Sequence, residues 1–396
     1  METLVVHGRQ PELGRAELES LYGAKKIRPA GVHATIVNIN PVEINFFRLG
    51  GMVKFCKVLT VLPTTEWQEV EQFLLTAAPE HAQNMDAGKL TIGLSTYGLN
   101  VNIRRLQASG LELKKAIRNT GRPVRLVPNK KPDLNAAQVL HNGLTQKLGW
   151  ELVFVRDGNK TVIAQSIAVQ DIEAYAARDQ ARPKRDARVG MLPPKLAQII
   201  INLAAGGQNV DSVYDPFCGT GVILQEAMLM GYDTLGSDID PRMVEYSEEN
   251  LSWLVAQGRN ICPGAVNPSK NYSVSAANAT KVKLDNPGCI ASEIYLGKPL
   301  STIPKPNLLE QIIRECDEVL EKFLKNAAKQ TKSGFRLCLA VPAWKIKSGF
   351  RHVPTLDKLD DLGYNRLSFV HAKDEKLIYH RPDQVVAREL IVIERK

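Results

Sequence analysis

A chain of 396 residues that is 44% apolar and 23% charged is too long for one ordinary core and too apolar for a disordered or fibrous class. No stretch reaches the roughly 20 uninterrupted apolar residues that span a bilayer, and METLVVHGRQPELGRAELES turns polar too soon for a signal peptide, so a cytoplasmic location is expected. The cysteines Cys56, Cys218, Cys262, Cys289, Cys316 and Cys338 are widely spaced, with no C-x-x-C pair and no clustered histidines, which argues against a disulfide framework or a metal site.

The first predicted elements are a strand over Thr3 to His7 and a helix over Pro11 to Leu21, whose Leu13, Ala16, Glu17, Leu18 and Leu21 form a stripe at helical spacing. Strand-like runs follow at Ala34 to Ile39 and Val53 to Leu62, then a helix from Trp67 to Leu75 and a strand from Leu90 to Leu94. A basic helix is expected over Leu111 to Asn119, a strand over Val124 to Val127 and another helix over Asn135 to Leu148. Two β-branched runs, Glu151 to Val155 and Thr161 to Ser166, flank Asp157-Gly158-Asn159 and read as a hairpin.

The net charge of +9 is unevenly spread. Between Val101 and Lys131 lie Arg104, Arg105, Lys114, Lys115, Arg118, Arg122, Arg125, Lys130 and Lys131 against one acid, Glu112. A solvated helix face is the ordinary reading of such a run, but the near absence of acids, with Asn119, Pro128 and Asn129 in adjoining loops, suits an RNA phosphate backbone. The stretch AARDQARPKRDARVGMLPP, Ala176 to Pro194, has linker composition, and its Arg178, Arg182, Arg185 and Arg188 would extend the basic surface.

Beyond that stretch strands alternate with helices: Val213 to Tyr214, Val222 to Met230, Thr234 to Ser237, Met243 to Leu254 and Tyr272 to Ser275. Such alternation predicts a parallel sheet wound by helices on both faces. A long amphipathic helix is expected over Leu308 to Leu324 behind Asn307 as cap, with further strands at Phe335 to Val341, Leu367 to His371 and Glu389 to Glu394.

Asp215-Pro216-Phe217-Cys218-Gly219-Thr220-Gly221 falls at the first crossover of that sheet, where ligands bind beyond the strand ends. Gly219 and Gly221 clear side chains from the backbone, and Asp238 follows about 20 residues on, the spacing of an acid that takes ribose hydroxyls. There is no third glycine of a dinucleotide fingerprint and no phosphate-loop lysine, so an adenosine cofactor without a pyrophosphate fits best. Asp240, before Pro241, reads as a helix cap. The plain alternatives are a tight turn without ligand and, for Asp238, a solvated strand end.

DPFCGTG followed by GSDIDPRMVEYSEENL resembles the cofactor motifs of the THUMP-domain tRNA guanosine methyltransferases of archaea and eukaryotes, which methylate the exocyclic amino group of guanine. GRQPELGRAELESL is similar to that family's opening strand and helix, TIGLSTYG and KPDLNAAQVLHNGL to stretches of a THUMP domain, and ARDQARPKRDARVGMLPPKLAQIIINLA to its linker and first catalytic-domain helix. The resemblance implies an α/β fold: a doubly wound Rossmann-like methyltransferase domain over 195–396, a basic linker over 171–194, and an α+β N-terminal region made of a ferredoxin-like part (1–60) and a THUMP-like RNA-binding part (61–170). It also implies S-adenosylmethionine as cofactor, bound by Asp215, Phe217, Cys218, Gly219, Gly221, Asp238 and Asn278. The implied partner is tRNA, held by Arg104, Lys114, Lys115, Arg118, Arg122 and Arg182.

In place of the family's Asp-Pro-Pro-Tyr stands Ala291-Ser292-Glu293-Ile294-Tyr295, without either proline. Glu293 can still accept hydrogen bonds from an amine and Tyr295 can still stack on a base, so these two are the expected catalytic pair. The rival readings are a non-catalytic RNA-binding relative that keeps the cofactor fold, a DNA amino methyltransferase and a nicotinamide dehydrogenase.

Overall fold

The computed structural model describes residues 2–186, 191–257, 261–262, 264–265, 268–300 and 302–396. The chain divides into two compact units, one built from Met1–Pro11, Lys25–Phe46 and Met52–Ile172 and the other from Glu12–Ala24, Phe47–Gly51 and Glu173–Lys396.

The strands of the first unit are β1 (Thr3–His7), β2 (Ile27–Ala30), β3 (Ala34–Val37), β4 (Met52–Leu62), β5 (Leu90–Tyr97), β6 (Val124–Leu126), β7 (Gly149–Asp157) and β8 (Lys160–Val169). They form one eight-stranded sheet in the order β2-β3-β1-β4-β8-β7-β5-β6. The parts read from the sequence as 1–60 and 61–170 therefore contribute to one continuous sheet. Period-two alternation decides its faces: Leu152 and Phe154 pack into one core, Val153 and Val155 into the other. After α1 (Pro11–Tyr22), which is described with the second unit, come α2 (Trp67–Gln83), α3 (Ile103–Asn119) and α4 (Ala136–His141).

Three of these helices differ in length from the prediction. α2 continues through Pro79 because its buried stripe, Trp67, Val70, Leu74, Ala78 and Ala82, runs past the proline. α3 starts at Ile103, with the Asn102 side chain accepting from the Arg105 amide, and its internal Gly110 is a packing site: a Cβ there would come within 3.0 Å of Leu126. α4 ends at His141 because the chain turns at Gly143, whose φ is +62°.

In the second unit the helices α5 (Ile172–Gln180), α6 (Pro194–Ala205), α7 (Val222–Leu229), α8 (Pro241–Gln257) and α9 (Pro306–Ala328) surround the strands β9 (Ser212–Asp215), β10 (Asp233–Asp238), β11 (Tyr272–Ala276), β12 (Cys289–Glu293), β13 (Arg336–Ile346), β14 (Gly349–Arg351), β15 (Tyr364–Arg366), β16 (Ile378–Tyr379) and β17 (Val386–Arg395). The main path runs β11-β10-β9-β12-β13-β17-β15. β11 to β13 are parallel along this path, and β17 enters antiparallel between β13 and β15. This is the doubly wound Rossmann-like sheet expected from the alternation of elements. α6 and α7 pack with Val213, Ala291, Cys338 and Leu390 on one face, and α9 packs with Ile290, Leu339 and Ile391 on the other. The strand order reverses between β9 and β12, which opens a crevice at their carboxyl ends.

α1 illustrates how the divisions read from the sequence differ from the structural units. Its Leu13 and Ala16 join the core around α6, while the buried Glu17 carboxylate accepts from the Gly50 and Gly51 amides at 2.8 Å and from Asn202 Nδ2 at 2.7 Å. Glu19 accepts from the amides of Val370 and His371. Those two amides are thereby unavailable to a ladder, and in place of the strand predicted at Leu367 to His371 the structure has β15 at Tyr364–Arg366. α9 begins two residues earlier than expected, with Lys305 rather than Asn307 at the cap position and Pro306 opening the helix. Among the described residues no helix is long and apolar enough to cross a membrane.

Candidate active site

β9 ends at Asp215, and the chain must then turn sharply to enter α7. Gly219 and Gly221 make that turn with φ of +50° and +81°, values that L side chains rarely adopt. The loop is tied to α8 from behind: Ser247 Oγ donates to the Gly219 carbonyl at 2.7 Å and Asn250 Nδ2 to the Thr220 carbonyl at 2.9 Å. A Cβ at Gly221 would come within 3.0 Å of Ser247 Oγ, whereas one at Gly219 would meet no atom within 4 Å. Gly221 is thus needed for packing, and Gly219 faces open space.

Asp238 closes β10 and spans the loop mouth. One of its oxygens accepts from the Gly219 amide at 2.9 Å and the other from the Asp240 amide at 3.0 Å. Asp240 Oδ1 in turn accepts from the Arg242 amide at 2.9 Å, the helix-cap geometry expected from its sequence position. Asp215 is buried, with Oδ1 accepting from Ser292 Oγ at 2.6 Å and the Phe217 amide at 3.1 Å. Burial pushes its carboxyl up to about 7 against the pull of those hydrogen bonds, with the nearby Asp238 and Glu293 adding to the rise.

Phe217 meets Phe323 of α9 edge-on at 5.4 Å, and Cys218 is buried, its thiol pushed well up by desolvation. Asn278 Oδ1 accepts from the Thr280 amide and hydroxyl at 2.9 and 2.8 Å, which leaves its amide nitrogen for another partner. Asp215, Phe217, Cys218, Gly219, Asp238, Asn278, Glu293 and Tyr295 all line one cleft of about 760 Å³, while Gly221 supports it from α7's first turn.

Glu293 ends β12 and is ion-paired to Arg388 of β17, a residue 95 positions away that no local pattern marks. Burial raises the Glu293 carboxyl and Arg388 opposes the rise. Tyr295 is 40% exposed, and its titratable neighbours are Cys316 and Glu315 of α9. Ser247, Asn250, Ser292 and Arg388 are the supporting residues that sequence reasoning missed. Their roles arise from packing between distant elements.

The basic residues divide. Arg104, Lys115 and Arg118 are exposed on α3 with Lys114 half-buried beside them, and Leu111, 58% exposed, lies among them. Arg105 is paired with Glu71. Arg122 instead donates to the carbonyls of Ala82, Met85 and Asp86 at the end of α2, so its guanidinium is occupied in capping that helix. Arg182 is 3% exposed and Arg178 pairs with the buried Glu226 at 2.7 Å, so neither extends an open basic surface. Arg188 lies outside the described residues. Among the described residues no group of three or more His, Cys, Asp or Glu side chains is placed to hold a metal ion.

Residues 182–345 match the UPF0020 family, described as an RMKL-like methyltransferase domain. The chain is 32% identical over 197 residues to the tRNA (guanine(10)-N2)-dimethyltransferase of Methanothermobacter thermautotrophicus, covering 49% of this chain and 51% of that one. It is 34% identical over 135 residues to the protein of the same name from Pyrococcus abyssi, covering 33% and 36%. The chain thus matches about half the length of the first relative and a smaller share of the second. The crystal structure of TrmN from Thermus thermophilus superposes over 100% of both chains with a TM-score of 0.51 at 15% identity, a likeness of fold.

Proposed function

We propose that this chain, whose residues 182–345 form a methyltransferase domain of the UPF0020 family, transfers a methyl group from S-adenosylmethionine to the exocyclic amino group of a guanosine in tRNA. The observation that carries this reading is the convergence of Asp215, Gly219, Asp238, Asn278, Glu293 and Tyr295 on one cleft at the switch point of the sheet. The names of the matched relatives support the choice of guanosine and tRNA.

The residues present fit the cofactor. The space beside Gly219 is open, with no atom within 4 Å of where a Cβ would stand, each Asp238 oxygen keeps a lone pair beyond the one used by a backbone amide, and the buried Asp215 supplies negative charge for a cationic ligand when ionised. When bound, S-adenosylmethionine supplies an electrophilic methyl group. Asp238 would take the ribose hydroxyls, the amide nitrogen of Asn278 would meet the adenine edge, and Asp215 would lie toward the methionine end. Glu293 would accept hydrogen bonds from the N–H groups of the target amine and so turn the nitrogen lone pair toward the methyl, while Tyr295 would supply a stacking face for the base. The exposed face of α3 with Arg104, Lys114, Lys115 and Arg118 binds RNA phosphates.

Incubation with methyl-labelled S-adenosylmethionine and bulk tRNA, followed by nucleoside analysis, tests the reading. N2-methylated guanosine is the expected product. Binding of both cofactor and tRNA without any methyl transfer would replace it with the non-catalytic relative.

A further inference from the structure

We propose that Arg388 is a positioning residue for the methyl acceptor: it tethers one carboxylate oxygen of Glu293 and leaves the other presented to the cleft as a hydrogen-bond acceptor for the amine. This rests on the reaction proposed above.

The sheet makes room for the tether. Glu293 on β12 lies opposite Ala340 of β13, and Arg388 on β17 lies opposite Pro342 of β13. Ala340 and Pro342 are two residues apart in one strand and share a face, so the strand between Glu293 and Arg388 presents only small side chains along the crossing. A long guanidinium can therefore reach over β13. Arg388 is 5% exposed, its Nε donates to Glu293 Oε1, and Glu293 Oε2 accepts no hydrogen bond from a described residue.

The chemistry explains why such a tether matters here. Glu293 carries one more methylene than an aspartate, and no proline stiffens Ala291-Ser292-Glu293-Ile294-Tyr295, so the carboxylate needs a restraint from elsewhere. It also needs to stay ionised, because a protonated carboxyl offers a hydrogen where the amine requires an acceptor. The charged group that acts on it is Arg388 from β17, while Glu293 itself helps to raise the carboxyl of Asp215 at the end of β9. Asp186, Asp238, Asp240, Lys298, Glu318 and Lys322 line the same cleft. Arg388 is thus the cation paired directly with Glu293, restraining its geometry and favouring its charged form.

The test uses the full chain with Arg388→Gln, Arg388→Lys and the double variant Arg388→Gln/Glu293→Gln. Melting and calorimetry with S-adenosylmethionine first establish that each variant is folded and binds cofactor as the wild type does. Single-turnover methyl transfer to tRNA is then followed across pH, and the Glu293 carboxyl is titrated by carbon NMR against Glu293→Gln as the blank. In Arg388→Gln the acid limb of the rate and the Glu293 titration should both move to higher pH, by about one to three units, the scale of losing an adjacent opposite charge. Arg388→Lys should fall between, with the charge kept and the fork lost, and the double variant should show no such limb. A rate limb and a carboxyl titration that stay put in folded Arg388→Gln overturn the inference. Should the wild type methylate no RNA, the reaction reading falls on its own, and the carboxyl titration still decides the tether: an unmoved Glu293 refutes it.

Discussion

Asp215 should make cofactor affinity depend on pH in a range where most carboxylates are silent. With its carboxyl at about 7, roughly a tenth of the folded molecules carry the charge at about pH 6 and roughly nine tenths at about pH 8. If the cationic cofactor binds the charged form, calorimetry should record about a tenfold tighter Kd at the higher pH. The ligand's own amine titrates nearby, so the decisive quantity is the difference between wild type and Asp215→Asn. The asparagine keeps an oxygen for the Ser292 hydroxyl and the Phe217 amide, and its profile should lack the Asp215 contribution.

The same shift carries a stability consequence of definite sign. Burial raises the folded pKa above the ordinary 3.8, so the folded chain holds this proton more tightly than the unfolded one. The stability gained from that proton is whole below about 3.8 and gone once the pH has risen through about 7, a loss on the order of 4 kcal/mol for a group this deeply buried. Asp215→Asn should accordingly be more stable than wild type at about pH 8 and bind the cofactor more weakly. Parallel binding profiles for the two proteins between those pH values would refute the reasoning.

Gly219→Val should abolish cofactor binding in a folded protein, since it strains a backbone at φ +50° and fills the open side of the loop; unchanged affinity by calorimetry would remove the loop from the site. Asp238→Ala should weaken cofactor binding by about 1 to 3 kcal/mol, measured the same way, and an effect within error would make Asp238 structural. Replacing Lys114, Lys115 and Arg118 together by Ala should weaken tRNA binding and flatten its salt dependence; if filter binding gives the same slope, α3 is a solvated face. Glu293→Gln should keep cofactor and tRNA affinity while lowering single-turnover methyl transfer by roughly a hundredfold or more, and an equally active variant would mean a different acceptor.

What could be read in the sequence was short-ranged. The hairpin of β7 and β8 announces itself through alternating β-branched residues around Asp157-Gly158-Asn159, and the loop through two glycines and an acid at fixed spacing. Helix ends were harder, because α2 ignores Pro79 for the sake of buried Ala78 and Ala82, and Gly110 inside α3 is there for its small size against Leu126. Charge was the least legible. Arg122, Arg178 and Arg182 look like a basic surface in one dimension, yet Arg122 caps α2 and the other two are buried in the folded chain. Arg388 carries no local signal, since only the order of strands brings it to Glu293.

The binding of α1 within the second unit bears on how that unit is synthesised. Glu19 waits for the amides of Val370 and His371, some 350 residues later, and Leu13 and Ala16 wait for α6. During translation the helix can meet Gly50 and Gly51 early and α6 once about half of the chain has emerged, but its Glu19 contacts form only near the end, so the unit's core cannot close vectorially. A fragment cut at residue 195 would leave Asn202 without the Glu17 carboxylate and expose apolar surface of α6, so it would be prone to aggregate although it contains every residue that lines the cleft beyond Leu192.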